Sequence, residues 1–445
     1  MARIIQKKLF GWQQVNASSD LDRLRLVLEH LGDEELMVKL ERMRGWGRDD
    51  YPIGAVWNSV LAGVVFQHKS VASLRRELKR NGELRDLCGF DPLGGAEVVP
   101  SDSAYTRFLR NLMGCQEEIE RMFEGLVERL GKLLPDFGRT LAVDSKAIES
   151  HGRPAKTKLV DGRRDVDADW GKKQYKGKRE DGTLWEKVVK WFGYKAHILV
   201  DSTYELPVAY EVSRASVGDS PQLLKLVEGT KQRHPWVVKR AEELAGDKGY
   251  DSEENNRKLW DNYKIKPLID IRNLWKDGER TRPLFPEWVD NIVYDYKGNI
   301  YCHCPQTDEQ RPMTFMGFEV QRGTLKYRCP AVAYGFRCAG SARCGESGGS
   351  RYGRIVRVAL DTDRRIFTPI ARSSYAWARK YKKRTAVERV NSQLDVSFGF
   401  EEHYIRGLAK MKLRVSLAMV VMLSMAVGRI KENQKENMRS LVKAA

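Results

Sequence analysis

Arg139-Thr140-Leu141-Ala142-Val143-Asp144-Ser145 is the stretch at which the character of the chain changes. The residues before it read as helices. Thr140 to Val143 is instead a short apolar strand that ends on a carboxylate, Asp144. Two more strand-like runs follow, Tyr194 to Val200 and Leu206 to Ser213, joined by the hairpin-length turn Asp201-Ser-Thr-Tyr-Glu205. Ser220-Pro221 opens a helix with proline at its first position. A weaker strand, Ala241 to Ala245, ends at Gly246-Asp247. Asp251-Ser-Glu-Glu254 has the form of a capping box for a second helix, and Ile265 to Ile271 is a further strand. Three strands, helix, strand, helix, strand is the order of a mixed α/β sheet covered by helices. Asp144 and Asp247 both fall at the carboxyl ends of strands, where open α/β sheets place their chemistry. His151 to Lys190, with 12 basic and 7 acidic residues and several glycines, reads as a mobile loop.

Working outward, residues 1–135 form a helical domain. Leu21 to Leu31, Glu34 to Met43, Ile53 to Gln67 and Gln116 to Leu134 carry helical spacing, and Ser70 and Ser101 stand as N-caps. Short helices with basic faces and tight turns suit a helix-turn-helix DNA reader, and an ordinary helical bundle fits the same pattern equally well. The mixed-sheet core occupies 136–275 and resumes over 366–430. Residues 276–365, rich in glycine, cysteine and short β-like runs, read as an insertion, and 431–445 as a basic tail.

The second part of the core contains Tyr381-Lys-Lys-Arg384-Thr-Ala-Val-Glu388, within a helix expected from about Ser374 to Phe398. At about 100° per residue, Trp377, Tyr381, Arg384 and Glu388 share one face, while Val387, Val390, Leu394 and Phe398 form the buried stripe. Alone this is a solvated charged face. Beside Asp144 and Asp247 it supplies a third carboxylate. Three carboxylates are the hard oxygen donors that magnesium prefers, and two divalent ions are what phosphodiester chemistry uses to activate one oxygen and stabilise another. The 445-residue chain carries a net charge of +18, and from Arg351 to Arg384 there are 11 basic and 2 acidic residues. Such a charge points to nucleic acid first and anionic membrane second.

Leu141-Ala-Val-Asp144-Ser, Ala245-Gly-Asp247-Lys-Gly-Tyr-Asp-Ser252 and Tyr381-x2-Arg384-x3-Glu388 together resemble the signatures of bacterial insertion-sequence DDE transposases, of the branch with a tyrosine–arginine–glutamate helix. Tyr194-Lys-Ala-His-Ile-Leu-Val-Asp201, Tyr51-Pro-Ile-Gly54 and Ser101 to Leu109 extend the resemblance over about residues 45 to 430. It implies a ribonuclease H-like core that cuts double-stranded DNA at transposon ends and joins the 3′ hydroxyls to target DNA. Asp144, Asp247 and Glu388 would bind two magnesium (Mg2+) or manganese (Mn2+) ions. Tyr381 and Arg384, with the nearby Lys248, Lys380 and Lys383, would contact DNA, and a homodimer would hold the paired ends. The family often has a basic residue seven positions after the glutamate, where this chain has Asp395, either an extra ligand or a surface acid.

Cys302, Cys304, Cys329, Cys338 and Cys344 sit together in the insertion, a spacing consistent with a structural zinc (Zn2+) held by four of them or with reduced thiols. Cys88 and Cys115 read as core. Trp170, Trp185 and Trp191 suit base stacking or local packing equally. Val415 to Val427 is too short to span a bilayer and reads as a core helix. Without a secretory signal or a disulfide pattern the expected location is cytoplasmic, with no membrane partner. Two other functions fit parts of the sequence: a metal-dependent nuclease on the same core, and a non-catalytic DNA-binding protein.

Overall fold

The computed structural model describes residues 19–438 apart from 47–49, 155–163, 180, 182, 288–290, 305–306, 308 and 340–352. The described residues begin with helices α1 Ser19–His30, α2 Glu34–Arg44, α3 Ile53–Val65, α4 Val71–Arg80, α5 Gly82–Cys88, α6 Asp102–Met113 and α7 Gln116–Leu133. Ser70 caps α4 reciprocally. Its hydroxyl accepts from the Ser73 N–H at 3.2 Å, and the Ser73 hydroxyl accepts from the Ser70 N–H. Ser101 caps α6, accepting from the Ala104 N–H at 3.2 Å. α3 is apolar almost all round, with Trp57 fully buried, so it is a core helix and not an amphipathic surface one.

The mixed sheet contains β1 Thr140–Glu149, β2 Asp169–Lys178, β3 Leu184–Asp201, β4 Leu206–Arg214, β5 Glu243–Gly246 and β6 Lys266–Ile269. Its order is β2, β3, β1, β5, β6, with β4 also paired to β3. β1 runs antiparallel to β3 and parallel to β5, and β5 runs parallel to β6. Helices α8 Ser220–Arg233, α9 Pro235–Arg240 and α10 Glu253–Tyr263 connect the later strands.

Three expectations change here. The first strand does not end at Asp144. β1 continues to Glu149, because Ser145, Lys146 and Ala147 pair with His197, Ala196 and Lys195 on β3. The segment from His151 to Lys190 is not a mobile loop throughout. Its second half is a β-hairpin of β2 and the first part of β3, exposed from Leu184 to Lys190 and therefore without the apolar alternation that marks a half-buried strand. The cap of α10 is Ser252, which accepts from the Asn255 N–H at 3.1 Å. Asp251 is buried and takes Arg272 and Arg365 instead.

Residues 282–359 contain two antiparallel sheets. Ile292–Tyr294, Ile300–His303 and Gln310–Pro312 belong to one, and Thr314–Glu319, Thr324–Arg328 and Ile355–Ala359 to the other. They share a hydrophobic cluster of their own, including Ile292, Ile300, Leu325, Tyr327, Val356 and Phe367.

The helix expected over 374–398 is α11 Tyr375–Tyr381, a 3-10 turn Lys382–Arg384, and α12 Thr385–Val396. The Thr385 hydroxyl donates to the Lys382 carbonyl at 3.0 Å and accepts from Arg389 Nη1 at 3.0 Å, a side-chain bond that favours the tighter turn. The backbone stays right-handed helical through the turn, so the intended face survives. α12 packs on β1 and β3. The last long helix, α13 Leu408–Lys431, is long and apolar enough to cross a bilayer, longer than the expected Val415 to Val427. It is buried along most of its length against α1, α3, α7 and β4, where it serves as the central strut between the amino-terminal helices and the sheet.

Candidate active site

The parallel ladder between β1 and β5 closes with Val143 opposite Gly246. Asp144 and Asp247 are the next residues on the two strands, so they leave the ladder side by side. Burial pushes the Asp144 carboxyl up to about 6, and the Asp247 charge adds to the rise. Lys173 and Arg384 oppose it. Asp247 caps a 3-10 turn, Lys248–Tyr250, and its Oδ1 accepts from the Gly249 N–H at 2.7 Å. A Cβ at position 249 would stand 2.8 Å from that oxygen, so glycine there lets the backbone approach the carboxylate. Burial raises the Tyr250 hydroxyl well above the usual tyrosine range. The charges of Asp144, Asp219 and Asp247 raise it further, which places three carboxylates around this one ring.

Glu388 lies on the first turn of α12 with 48% of its side chain exposed. Its Oε1 accepts from Arg384 Nη2 at 2.5 Å. The Arg384 guanidinium lies over the Tyr381 ring at 5.8 Å, and Tyr381 stacks on Trp377 with centroids 4.5 Å apart and an 11° interplanar angle. Trp377, Tyr381, Arg384 and Glu388 therefore do share a face. Lys380 is held by Glu243, Lys248 lies 3.5 Å from Asp270, and Lys383 is exposed.

Asp395, the residue where a basic side chain was anticipated, pairs with Lys146 Nζ at 2.5 Å. The two side chains are 24% and 9% exposed, so the pair ties the glutamate helix to the strand of Asp144 out of bulk solvent. Arg389 makes a second tie, from α12 to Glu205 in the β3–β4 turn, with Nε 2.6 Å from Oε1. Lys146→Leu should lower stability by about 2–4 kcal/mol, because it strands a partly buried carboxylate. The double variant Lys146→Leu/Asp395→Leu should recover much of that loss in thermal unfolding, since both charges are then gone.

Two side chains near the aspartates were not singled out from sequence. Lys173 Nζ donates to the Ser145 carbonyl at 3.2 Å. Asp219 accepts from Lys195 Nζ at 2.9 Å, with buried His197 Nδ1 3.8 Å away. Lys173 sits in the charged stretch without apolar pattern and carries no sequence signal. Asp219 had one, the Gly218-Asp219-Ser220-Pro221 entry to a helix. His197 Nε2 pairs with Ser213 Oγ at 2.9 Å, so this histidine is buried and partnered.

Among the described residues, no three His, Cys, Asp or Glu side chains are gathered closely enough to hold a metal ion. The donor chemistry nevertheless suits a hard divalent cation. Two adjacent carboxylates repel each other, and the repulsion visible at Asp144 is what such a cation relieves. Glu388 would join them only on leaving Arg384.

Two aspartates thus follow each other off neighbouring parallel strands of a mixed sheet, and the helix that carries Glu388 packs on the strand of Asp144. The chain belongs to the family described as Transposase DDE domain, whose profile matches residues 135–423 and so includes all three carboxylates. The substrate of that family is DNA. A cryo-EM structure of the piggyBac transposase synaptic complex with hairpin DNA is similar at 11% identity, covering 97% of this chain and 80% of that one, with a TM-score of 0.39. Among curated proteins, none matches the sequence significantly.

Proposed function

We propose that this chain is a DDE transposase of the bacterial insertion-sequence type, with a ribonuclease H-like core and the tyrosine–arginine–glutamate helix. It would cut double-stranded DNA at element ends and join the 3′ hydroxyls to target DNA. The observation that carries this reading is the ladder register that sets Asp144 beside Asp247, with the Glu388 helix packed on the same strand. Asp144, Asp247 and Glu388 are the ligands for two magnesium or manganese ions. When bound, such ions supply activation of the attacking oxygen and stabilisation of the leaving one.

The chain's own residues do the positioning. The Trp377–Tyr381 stack fixes the Arg384 fork, whose planar donors match a phosphate. A phosphate taken by Arg384 competes with Glu388 for the same guanidinium and so frees the glutamate to turn to the aspartates. Lys383 and Lys248 are exposed and would add positive charge, while Lys380 is already engaged by Glu243. Residues 1–135 are read as the DNA-binding domain, 136–275 and 366–430 as the core, 276–365 as the insertion and 431–445 as a basic tail. Action as a homodimer on paired ends, in the cytoplasm at the nucleoid, completes the reading. The test is strand transfer with pre-cleaved ends. Joined product supports a transposase, whereas vigorous cutting without joining would leave a nuclease.

For the insertion we propose a structural zinc. Cys302, Cys304, Cys329 and Cys338 line one small cavity together with His303, and Arg311 lies close to the Cys304 and Cys338 thiols. Cys344 lies outside the described residues. The described cysteines are not drawn into a closed ligand set, so metal analysis decides. About one zinc per chain, with a lowered melting temperature after chelation, is expected. Metal-free protein of unchanged stability would leave these as reduced thiols.

A further inference from the structure

The hairpin of β2 and β3 has features that neither the sheet nor the carboxylates account for. All seven residues from Leu184 to Lys190 are exposed. An isolated two-stranded ribbon is marginal in water, and this one is held by two tryptophans laid over glycines. A Cβ at Gly171 would lie 2.3 Å from the Trp191 indole, and one at Gly177 would lie 2.4 Å from the Trp185 indole. Side chains alternate along a strand, so both indoles are on one face, together with Lys173 and Val189.

That face looks toward the catalytic end. Lys173 pairs with Val189 and Ser145 pairs with His197, eight residues further along β3. On a straight ladder they would be about 26 Å apart. Lys173 Nζ nevertheless reaches the Ser145 carbonyl, so the ribbon curls back over β1 beside Asp144.

The opposite face carries Trp170, Lys172, Gln174, Val188 and Lys190, and toward the tip Glu186, which accepts from the Gln174 amide. Lys172 and Lys190 are direct cross-strand partners, and neither has a carboxylate partner among the described residues. Like charges placed directly opposite are destabilising unless an anion comes between them. Trp170, against Phe192 at 5.6 Å, keeps 54% of its surface exposed beside this pair. Paired cations with an exposed indole on a two-stranded ribbon fit a DNA backbone, and the major groove admits a ribbon of this width.

We propose that this outer face is a second DNA-binding surface, distinct from the inner face that turns toward Asp144, and that it holds the target duplex. The inference rests on the transposase reading. Lys172→Glu/Lys190→Glu and the milder Lys172→Ala/Lys190→Ala should be compared with the wild-type chain, with thermal unfolding confirming that each folds. Joining of pre-cleaved ends to a mixed-sequence target duplex should fall about tenfold in the Glu variant. The slope of log affinity for that duplex against log salt should drop by about 1.8, two phosphate contacts' worth. Hydrolytic cutting of element ends should change by less than about twofold. Unchanged joining and salt slope in folded variants, or an equal fall in cutting and joining, would overturn the assignment of this face. A wild-type chain that neither binds nor cuts DNA would instead overturn the transposase reading, and this inference with it.

Discussion

Asp144→Asn, Asp247→Asn and Glu388→Gln should each reduce magnesium-dependent strand cleavage by at least about 10³-fold, while affinity for DNA stays within a few-fold. Each substitution keeps the side chain's volume and removes one anionic oxygen donor. A metal-held transition state loses several kcal/mol with such a donor, and about 4 kcal/mol corresponds to that factor in rate. Affinity is set elsewhere, by arginines and lysines on phosphates, so it should survive. The three variants should differ in the folded state. Replacing Asp144 removes a carboxyl already raised by burial and by Asp247, so Asp144→Asn should be neutral or stabilising in the metal-free protein. Glu388→Gln loses the ion pair with Arg384, a half-exposed contact of small value. A variant that cuts at the wild-type rate would remove its residue from the triad. Thermal unfolding of the same preparations shows whether any loss is a folding defect.

Gly193→Ala should cost about 3–5 kcal/mol and lower the melting temperature by roughly 10 °C, or prevent soluble expression. Gly193 is the residue of β3 at which β1 and β2 meet, opposite both Glu149 and Asp169. A Cβ there would stand 2.2 Å from the Ile148 carbonyl oxygen and 2.7 Å from the Ser150 nitrogen. Both are backbone atoms, so no side chain can swing aside to relieve the clash. Relief would require separating β1 from β3, and β1 carries Asp144. Cleavage should therefore fall with stability. Gly278→Ala makes a useful control, because nothing lies within 4 Å of a Cβ there, although its positive φ of 81° adds a small strain of its own. Equal melting temperatures for wild type and Gly193→Ala would contradict the close approach of the two strands.

The aspartates and the glutamate helix were legible in sequence for definite reasons. Leu141-Ala-Val143 and Leu244-Ala-Gly246 are fully buried parallel strands, which read as short apolar runs, and each runs into its acid. The stripe of Val387, Val390 and Leu394 has helical period and is buried as that period requires. Where patterning failed, local contacts replaced it. The extension of β1 past Asp144 includes Lys146, a buried lysine whose partner Asp395 lies 249 residues away, and no local reading finds such a pair. Leu184 to Lys190 of the β2–β3 ribbon are all exposed, so its sequence signal is tryptophan spaced against glycine across a register that sequence does not reveal. The 3-10 turn before α12 is closed by the Thr385 N–H and hydroxyl, both on the Lys382 carbonyl, which helical period does not mark. Asp251 looked like a helix cap and is instead the buried acceptor for Arg365 and Arg272, which connect the segment leading to the glutamate helix with the end of β6.

The most direct measurement of the central claim is to incubate the purified wild-type chain with labelled element ends, a target duplex and magnesium, and to map the products at nucleotide resolution. The account predicts cuts that expose 3′ hydroxyls at the element boundary, followed by products in which those hydroxyls are joined to target DNA, with neither product formed when magnesium is withheld. Tight, sequence-specific binding of the ends with no magnesium-dependent product would contradict it.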